Sequence, residues 1–449
     1  MEKLALKKYL QYARQQGADE AEIFLTNSRE ESVVVRQGVL EKVESAGDRG
    51  LAVRVICQKR AGFAYTSALT DADILRTVDM ALTNAGYAER DKFLGLPKPD
   101  TERSRSVRRT LRIYAPATAM LSLPQLADWA GRAESAAYTL DSRIYATESA
   151  AAFAASGETR LVNTHGIDAR GRKTLCGLSL EIAAKSGAKM EAAYDFRYAV
   201  SPAKIAPEKI GRRAAERAVR MLDAVPAQTG KYDLLLTPSV ARDFLSVLAE
   251  LFSAENVLRQ RSLFRGKLGK QVASAKVTLI DDPYLPALSG SFLYDGEGVP
   301  GRKRVLIKNG RLSDLLYDVH SARESGVPHA GNAARASIFS EPIIGASNLY
   351  FQRGKLTKPE IVKNIDRGVL IENIMGLHTA DPVSGEFSFG AAGQLIKHGK
   401  LAEPVKDMAI AGNLVDLLKS VKACGSDLEF SGHHGAPSVW IADIMVAGK

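Results

Sequence analysis

The order of helix-like and strand-like patterns in the first half of the chain is its most restrictive feature. Apolar residues near helical spacing in LKKYLQYA precede three stretches in which apolar and polar residues alternate, and the helical pattern ADILRTVDMALTNAGY follows. The same order returns with LPQLADWAGRAESAAYTL, further alternating stretches and PEKIGRRAAERAVRML. Alternation indicates strands and a spacing of three to four indicates helices. The pattern predicts two similar modules, the first of them α-β-β-β-α.

The rest of the chain, from about residue 231, has mostly strand patterning. Its clearest signal is VLIK, then Asn309-Gly310, then RLSDLLYD, because Asn-Gly supplies the positive φ angles of a type I′ hairpin turn. The sequence LIKNGRL at 306–312 returns as LIKHGKL at 395–401. Two related hairpins and the chance reuse of one turn type both explain this repeat.

The length of 449 residues is about three times that of a common domain, so two or three packed units are expected. A Pro/Gly-containing linker at Pro226–Lys231 marks one boundary. We expect an α+β protein with an N-terminal module at 1–100, a middle α+β module at 101–225 and a β-rich C-terminal domain at 226–449.

The composition is that of a soluble globular protein, with 45% hydrophobic and 25% charged residues. No apolar run reaches membrane-spanning length and the N-terminal residues carry charges where a signal peptide is apolar, so a cytoplasmic protein is expected. Cys57, Cys176 and Cys424 are far apart, which favours neither a disulfide framework nor a cysteine-built zinc site.

The net charge of +10 is concentrated in the middle of the chain. Its densest part is TERSRSVRRTLR, which contains Arg103, Arg105, Arg108, Arg109 and Arg112. A solvated linker and a nucleic-acid-binding patch both fit this cluster. Nucleic acid is not expected as a partner, because no aromatic residues are interleaved with the arginines.

Two groups of residues could take part in chemistry. Gly296–Gly301 fits the G-x-G-x-x-G pattern, but a strand follows where a dinucleotide site needs a helix. Asp281, Asp282, Asp295 and Glu297 could act as acids and bases or bind a hard cation, or could form turns; their spacing favours turns.

The seven histidines show no helical spacing that would assemble a metal site locally. His433 and His434, with Cys424, could in principle provide three zinc ligands. Adjacent residues of an extended segment point to opposite faces, so we expect these histidines to be loop residues that do not share one ion.

Longer segments resemble one known family. The run from KVTLIDDPYLPALSGSFLYDGEG to VPHAGNAAR, the ending PVKDMAIAGNLVDLLKSV with GAPSVWIADIMVAGK, and the segments LVNTHGI and GLAVRV are similar to the TldD/PmbA family, often labelled modulators of DNA gyrase. The resemblance runs almost from end to end and implies a TldD/PmbA-type C-terminal domain.

In the TldD branch of that family, zinc is bound by an H-E-x-x-x-H helix after an apolar strand and by a cysteine in C-G-K near the C-terminus. The corresponding segment here reads RDFLSVLAELFSAENVL, which aligns Ser246, Val247 and Leu251 with the motif. SGHHGAPS occupies the region of C-G-K. The departure at all three ligand sites implies that this chain has no catalytic residue and no metal of its own.

The apolar residues of this helix support that interpretation. Phe244, Leu245, Leu248, Leu251 and Phe252 form one stripe, which predicts a helix packed against a core or an interface.

The chain therefore resembles the PmbA branch, also called TldE. This resemblance implies a metal-free subunit that pairs with a TldD-type catalytic subunit carrying the zinc, and a complex that degrades or trims unfolded, extended peptides. It implies a dimer, hetero in the cell and homo when the chain is alone.

A peptide-contacting loop is predicted at Pro328–Arg335, where Gly allows close backbone approach and His329, Asn332 and Arg335 could bind peptide groups. An ordinary surface loop fits equally well.

Two other functions stay open. One is a self-sufficient metallopeptidase with zinc on His433, His434 and Cys424 or on Asp281 and Asp282. The other is a gyrase-associated or nucleic-acid-binding regulator.

Overall fold

The computed structural model describes residues 5–100 and 111–448. Arg103, Arg105, Arg108 and Arg109 of the basic cluster lie outside the described residues. The α-helices are α1 Leu6–Gln15, α2 Asp71–Tyr87, α3 Pro116–Ala119, α4 Leu123–Leu140, α5 Pro207–Met221, α6 Pro238–Ala249, α7 Ala254–Leu258, α8 Val319–Glu324, α9 Lys358–Lys363 and α10 Leu414–Lys419.

Strands make up more of the chain than helices do. In the first half they are β1 Glu20–Arg36, β2 Val39–Cys57, β3 Arg60–Thr66, β4 Ile144–Asn163, β5 Asp168–Ser186 and β6 Lys189–Ala199. In the second half they are β7 Val225–Pro226, β8 Gly230–Leu236, β9 Leu279–Asp281, β10 Arg304–Lys308, β11 Arg311–Leu312, β12 Ala333–Ala334, β13 Ile343–Ile344, β14 Leu349–Phe351, β15 Arg367–Met375, β16 Glu386–Lys397, β17 Lys400–Asn413, β18 Val421–Cys424, β19 Glu429–Ser431, β20 His434–Ala436 and β21 Val439–Ala447.

The first half forms one antiparallel sheet of six strands in the order β3-β2-β1-β4-β5-β6. Each module contributes three strands, flanked in sequence by α1 and α2 or by α4 and α5, so the predicted α-β-β-β-α order is present twice. The modules join where β1 pairs with β4, from Glu22 opposite Asn163 to Val35 opposite Ala150. The predicted α+β class is confirmed, and the two modules share a single sheet.

The helices of both modules cover one face of this sheet. Alternate β5 residues, among them Leu178 and Leu180, pack with α4 and α5 in a buried apolar cluster. The two helices approach closely because Gly211 has no side chain: a Cβ there would lie 2.0 Å from the carbonyl oxygen of Ala133. The opposite face of the sheet is left for the C-terminal domain.

The C-terminal domain is built around a closed ring of strands. β21 pairs with β8, β8 with β15, β15 with β16, β16 with β17, and β17 returns to β21. A second sheet has the order β11-β10-β9-β14-β20-β19. Helix α6 contacts both sheets, and Phe244 on α6 meets Phe387 and Phe389 edge to face, with ring centroids 5.9 and 5.2 Å away. The predicted β-rich domain is thus confirmed.

Both repeated hairpins adopt the predicted turn. Asn309 and Gly310 have φ angles of 48° and 81°, and His398 and Gly399 have φ angles of 47° and 75°. The G-x-G-x-x-G sequence forms a tight turn with Gly298 at φ 79° and leads toward strand β10, as expected.

Part of the open sheet face is covered by the C-terminal domain. Ile338 is completely buried in an apolar cluster with Phe24, Ala52, Leu161 and Ile167 of the sheet and its turns. This contact line between the six-stranded sheet and the C-terminal domain is called the seam below. Within the described parts of the chain, no helix has the length and apolar character needed to cross a bilayer.

Candidate functional site beside helix α6

Helix α6 begins directly after strand β8, which places it inside the C-terminal domain. The Thr237 hydroxyl caps it by accepting a hydrogen bond from the Val240 amide, and Pro238 occupies the first turn, where a missing N–H costs nothing. The helix ends at Ala249 and a 3-10 turn, Glu250–Phe252, continues the chain. The predicted apolar stripe is confirmed: all five of its residues are buried.

The three residues aligned with the zinc motif have different surroundings. Ser246 is exposed and its hydroxyl donates to the Asp243 carbonyl at 2.7 Å. Val247 packs partly against the core, and Leu251 is completely buried in the 3-10 turn. None of them carries a nitrogen, sulfur or carboxylate donor of the kind zinc prefers. These residues do not fit a zinc ion.

A hairpin turn with two histidines lies against α6; the histidine turn is Ser431–His434, between β19 and β20. The rings of His433 and His434 are neighbours, with centroids 4.2 Å apart. The expectation that they point to opposite faces was wrong, because Gly432 at φ 61° and His433 form a turn and only His434 belongs to a strand, β20. The expectation of a loop residue is confirmed at His433.

His434 is held in its neutral form. Burial, together with the positive charges of His433 and Arg242, lowers its pKa to about 3. A neutral imidazole can offer one ring nitrogen as a donor and the other as an acceptor.

The cysteine that could have joined this pair is part of the core. Cys424 is buried on β18, where burial raises the pKa of its thiol to about 12, so the metal-binding thiolate is disfavoured. Across residues 5–100 and 111–448, no group of three or more His, Cys, Asp or Glu side chains could hold a metal ion.

The clustered carboxylates have structural partners. Asp282 accepts from the Tyr284 amide at 2.9 Å, and Asp295 accepts from the Glu297 amide at 2.9 Å. These are the predicted turns, which are confirmed at both positions. Asp281 differs: it is completely buried and accepts from the Ser347 amide and hydroxyl at 2.7 and 2.8 Å.

The residues of the predicted peptide-contacting loop lie at or near the seam. The Asn332 amide is buried between the Arg304 guanidinium, 2.7 Å from its oxygen, and Asp281, 2.9 Å from its nitrogen. Arg335 forms a salt bridge with Glu22, and its guanidinium carbon lies 4.8 Å from the centroid of the Phe24 ring. His329 is half-buried and its carbonyl accepts from Arg304 at 3.3 Å. The polar groups of Asn332 and Arg335 thus already have protein partners.

Arg335 belongs to a buried cluster of four charges that crosses the seam. Arg54 reaches Glu22 at 3.4 Å and Glu297 at 3.1 Å, and Glu22 also pairs with Arg335. Burial by itself would lower the pKa of Arg54, but the charges of Glu22 and Glu297 raise it overall. Each buried charge has at least one opposite charge beside it, so the cluster joins sheet and C-terminal domain.

One feature of the site was missed by sequence reasoning. Tyr194, Phe196 and Tyr198 alternate along β6 and share one face of the sheet, with Phe196 stacked 6.2 Å from Tyr194 and tilted 5.2 Å from Tyr198. Tyr194 is 42% exposed and Tyr198 37%. We call these three residues the aromatic ladder. The alternation in AAYDFRYA is the signal that could have revealed it.

The aromatic ladder lies close to α6. Burial raises the pKa of Tyr194, and the negative charge of Asp243 on α6 raises it further. Arg197 lies between Phe196 and Tyr198 in the sequence, and its guanidinium donates a hydrogen bond to the Phe430 carbonyl of β19 at 3.5 Å. The ladder, α6 and the histidine turn therefore form one site that is partly open to solvent and lies between the sheet and the C-terminal domain.

Comparison with known families covers nearly the whole chain. Residues 21–85 match PmbA/TldA metallopeptidase domain 1, residues 118–222 match the central domain, and residues 229–448 match the C-terminal domain.

Individual relatives agree with this assignment. A metalloprotease of Methanothermobacter thermautotrophicus is 31% identical over 95% of both chains. Metalloprotease PmbA of Escherichia coli O157:H7 is 28% identical over 96% of this chain and 93% of that protein.

Solved structures have the same fold. A protein from Thermotoga maritima described as a candidate modulator of a DNA gyrase has a TM-score of 0.90 and 29% identity, over 98% of this chain and 99% of that one. TldE from Thermococcus kodakarensis has a TM-score of 0.90 at 24% identity, over 99% of this chain and 100% of that one, and shows the fold alone. With nearly the whole chain matched in sequence and in fold, this protein belongs to the PmbA/TldD metallopeptidase family.

Proposed function

We propose that this chain is the non-catalytic partner subunit of a TldD/PmbA-type zinc metallopeptidase complex that acts on unfolded or extended peptides. The observation that carries the proposal is the chemistry of helix α6. Ser246, Val247 and Leu251 provide a hydroxyl and two aliphatic groups where zinc needs nitrogen, sulfur or carboxylate donors. The fold around the helix matches that of the Thermotoga maritima protein over 98% of this chain.

In this proposal the zinc belongs to a TldD-type subunit, where it activates water for peptide hydrolysis. The present chain completes a chamber with that subunit as a heterodimer, and restricts entry to peptides without folded structure. An extended peptide can bind by adding a strand to an open sheet edge. Such an edge exists: β3 pairs with β2 only from Leu51 to Cys57, so among the described residues the part of β2 before Leu51 has one strand neighbour, β1.

The test is reconstitution with a TldD-type paralogue from the same organism. We expect the two chains to co-purify, the pair to cleave an unfolded peptide, and neither chain to do so alone. Atomic absorption should detect zinc in the purified paralogue and in the pair but not in the present chain alone, and a chelator should abolish cleavage. Stoichiometric zinc on the purified present chain, together with chelator-sensitive cleavage by that chain alone, would contradict the proposal.

A substitution on α6 provides an independent check. Ser246→Ala should leave the cleavage rate of the reconstituted pair unchanged, because the Ser246 hydroxyl bonds to a carbonyl of its own helix. The matched control is alanine at a zinc-ligating histidine of the paralogue, which should abolish cleavage. A tenfold or larger loss with Ser246→Ala would show that this helix takes part in catalysis.

A further inference from the structure

Three cations without a carboxylate partner lie near α6 and the histidine turn, where the charges of Lys173 and Arg242 act on His433 and His434. The Lys173 ammonium lies 3.4 Å from the Ser289 carbonyl, and Arg197 bonds to the Phe430 carbonyl. Arg242 lies on α6 beside Asp243. Among the described residues, no carboxylate oxygen lies within 4.0 Å of a side-chain nitrogen of any of these three cations, so none of them forms an ion pair. This contrasts with the seam, where both buried arginines are paired with glutamates.

Hydrogen-bonding groups beside these cations also lack partners. Arg242 Nη1, His434 Nε2 and Ser431 Oγ are buried, and within the described chain no donor or acceptor satisfies them. Ser431 pairs with His434 across the histidine turn, and the charge of Arg242 acts on His434. Three unsatisfied polar atoms in one corner are unusual, because buried polar groups nearly always have a partner.

We propose that Lys173, Arg197 and Arg242 form a subsite for the carboxylate of an extended peptide whose chain lies along the aromatic ladder. The inference rests on the proposed function, since it assigns a ligand chemistry to the peptide-handling role of this subunit. A carboxylate accepts two hydrogen bonds from one guanidinium, which gives it a defined orientation. The partly exposed rings of Tyr194 and Tyr198 provide apolar surface for the residues that precede the carboxylate.

Negative charges around the subsite favour a single carboxylate over a nucleic acid. The negative charges of Asp243, Asp195 and Glu429 act on Arg242. A single-stranded nucleic acid needs a continuous basic groove for its row of phosphates, which these carboxylates interrupt. A single carboxylate needs no such continuous row of cations.

The experiment measures peptide binding by the full chain alone, using fluorescence anisotropy. The probe is an N-terminally fluorescein-labelled decapeptide of Ala, Gly and Ser, made with a free C-terminal carboxylate or a C-terminal amide. We expect the carboxylate peptide to bind about tenfold more tightly, as for loss of a charged hydrogen bond. Arg242→Gln should remove this preference. Arg76→Gln, an exposed arginine on α2 in the other half of the sheet, should keep it.

Two further arms identify the ligand. The first is an amide decapeptide with one Glu, which shows whether a side-chain carboxylate can replace the C-terminal one. If Glu restores tight binding, the subsite is assigned to acidic side chains. If it does not, the subsite is assigned to peptide C-termini. An unlabelled ten-nucleotide oligo-dT should not displace the probe, and displacement at equal concentration would overturn the assignment to peptides.

Several outcomes would contradict the subsite. Equal affinity of wild type for the carboxylate and amide peptides would overturn it without any variant, as would absence of binding by the carboxylate peptide at millimolar concentration. Thermal unfolding of Arg242→Gln checks that its fold is intact. A reconstituted pair that cleaves peptides while the chain shows no carboxylate preference contradicts only the subsite. Carboxylate preference in a chain that never pairs with a paralogue contradicts only the partner-subunit role.

Discussion

At the scale of single residues, Gly177 determines how the aromatic ladder packs on the sheet. A Cβ atom there would lie 2.4 Å from Phe153 Cε1 and 2.4 Å from Tyr198 Cδ1. The two rings, 5.7 Å apart between centroids, cover the glycine from both sides. Only a hydrogen fits between them and the strand.

We therefore expect Gly177→Ala to lower the free energy of unfolding by about 1–3 kcal/mol, the range typical of overpacking. The measurement is denaturant unfolding followed by tyrosine fluorescence. Gly131→Ala on α4 is the matched control, because nothing lies within 4 Å of its added Cβ; it should raise stability by about 0.5–1 kcal/mol. Equal effects at the two glycines would show that the rings move aside freely.

The sequence indicated which residues could not bind zinc, but not which partners buried polar residues would find. The identities of Ser246, Val247 and Leu251 are enough to exclude zinc ligation, because donor chemistry belongs to the side chain itself. Asn332 meets Asp281, 51 positions away, and Arg335 meets Glu22, 313 positions away. No local pattern encodes contacts of such separation.

At the scale of elements, helix α6 carries a carboxyl group whose titration opposes folding. Burial raises the pKa of Asp243 to about 6 from 3.8, although Arg242 acts in the opposite direction. Between about pH 4 and 6 the folded state retains a proton that the unfolded state releases. The free energy of unfolding therefore falls as the pH rises through this window, and the loss is complete above the folded pKa.

Asp243→Asn should remove this contribution, about 2 kcal/mol for a shift of two pKa units after allowance for partial exposure. The measurement is the thermal midpoint of wild type and variant from pH 4 to pH 7, and the variant should gain stability over wild type toward pH 7. Asp416→Asn, at an exposed position on α10, should follow the wild-type profile. Parallel profiles for wild type and Asp243→Asn would contradict the expectation.

Hairpin turns and helix ends differ in how well the sequence predicts them. The turn at Asn309-Gly310 was predicted because its backbone angles depend on the two residues themselves. At His433 and His434 the sequence predicted loop residues but not the tight turn that makes their rings neighbours, since Gly432 alone does not distinguish a turn from an extended segment. The end of α6 at Ala249 was also missed, because the apolar spacing continues through the 3-10 turn to Phe252.

At the scale of the whole molecule, the charge cluster at the seam connects its two bodies. Arg335→Ala leaves Glu22, which is 1% exposed, with only the longer contact to Arg54. Breaking a buried pair by removing one partner costs about 3–5 kcal/mol. We expect a loss of this order in denaturant unfolding, together with faster proteolysis at the seam.

An exposed pair serves as the control for this prediction. Arg132 pairs with Glu208 between α4 and α5, and both side chains are about half exposed. Arg132→Ala should produce no measurable loss, as is common for surface pairs. If Arg335→Ala behaved like Arg132→Ala, the seam would not depend on its charges.

The order of helices and strands in the two N-terminal modules was predictable, but the single sheet that they share was not. Alternation defines strands one at a time and says nothing about which strands pair. The pairing of β1 with β4 brings together strands that are separated in the sequence by β2, β3 and, among the described residues, the three helices α2, α3 and α4. The closed ring of the C-terminal domain likewise depends on β21, far along the chain from its neighbour β8.

The long paired strands of the six-stranded sheet and the closed ring of the C-terminal domain leave few ways for this molecule to change shape. Bending either body would break backbone hydrogen bonds, whereas a rotation of one body against the other would break only side-chain contacts, among them the buried ion pairs at the seam. For any movement that accompanies ligand binding beside α6, we therefore expect the seam, where Ile338 and Arg335 contact the sheet, to be the boundary that shifts.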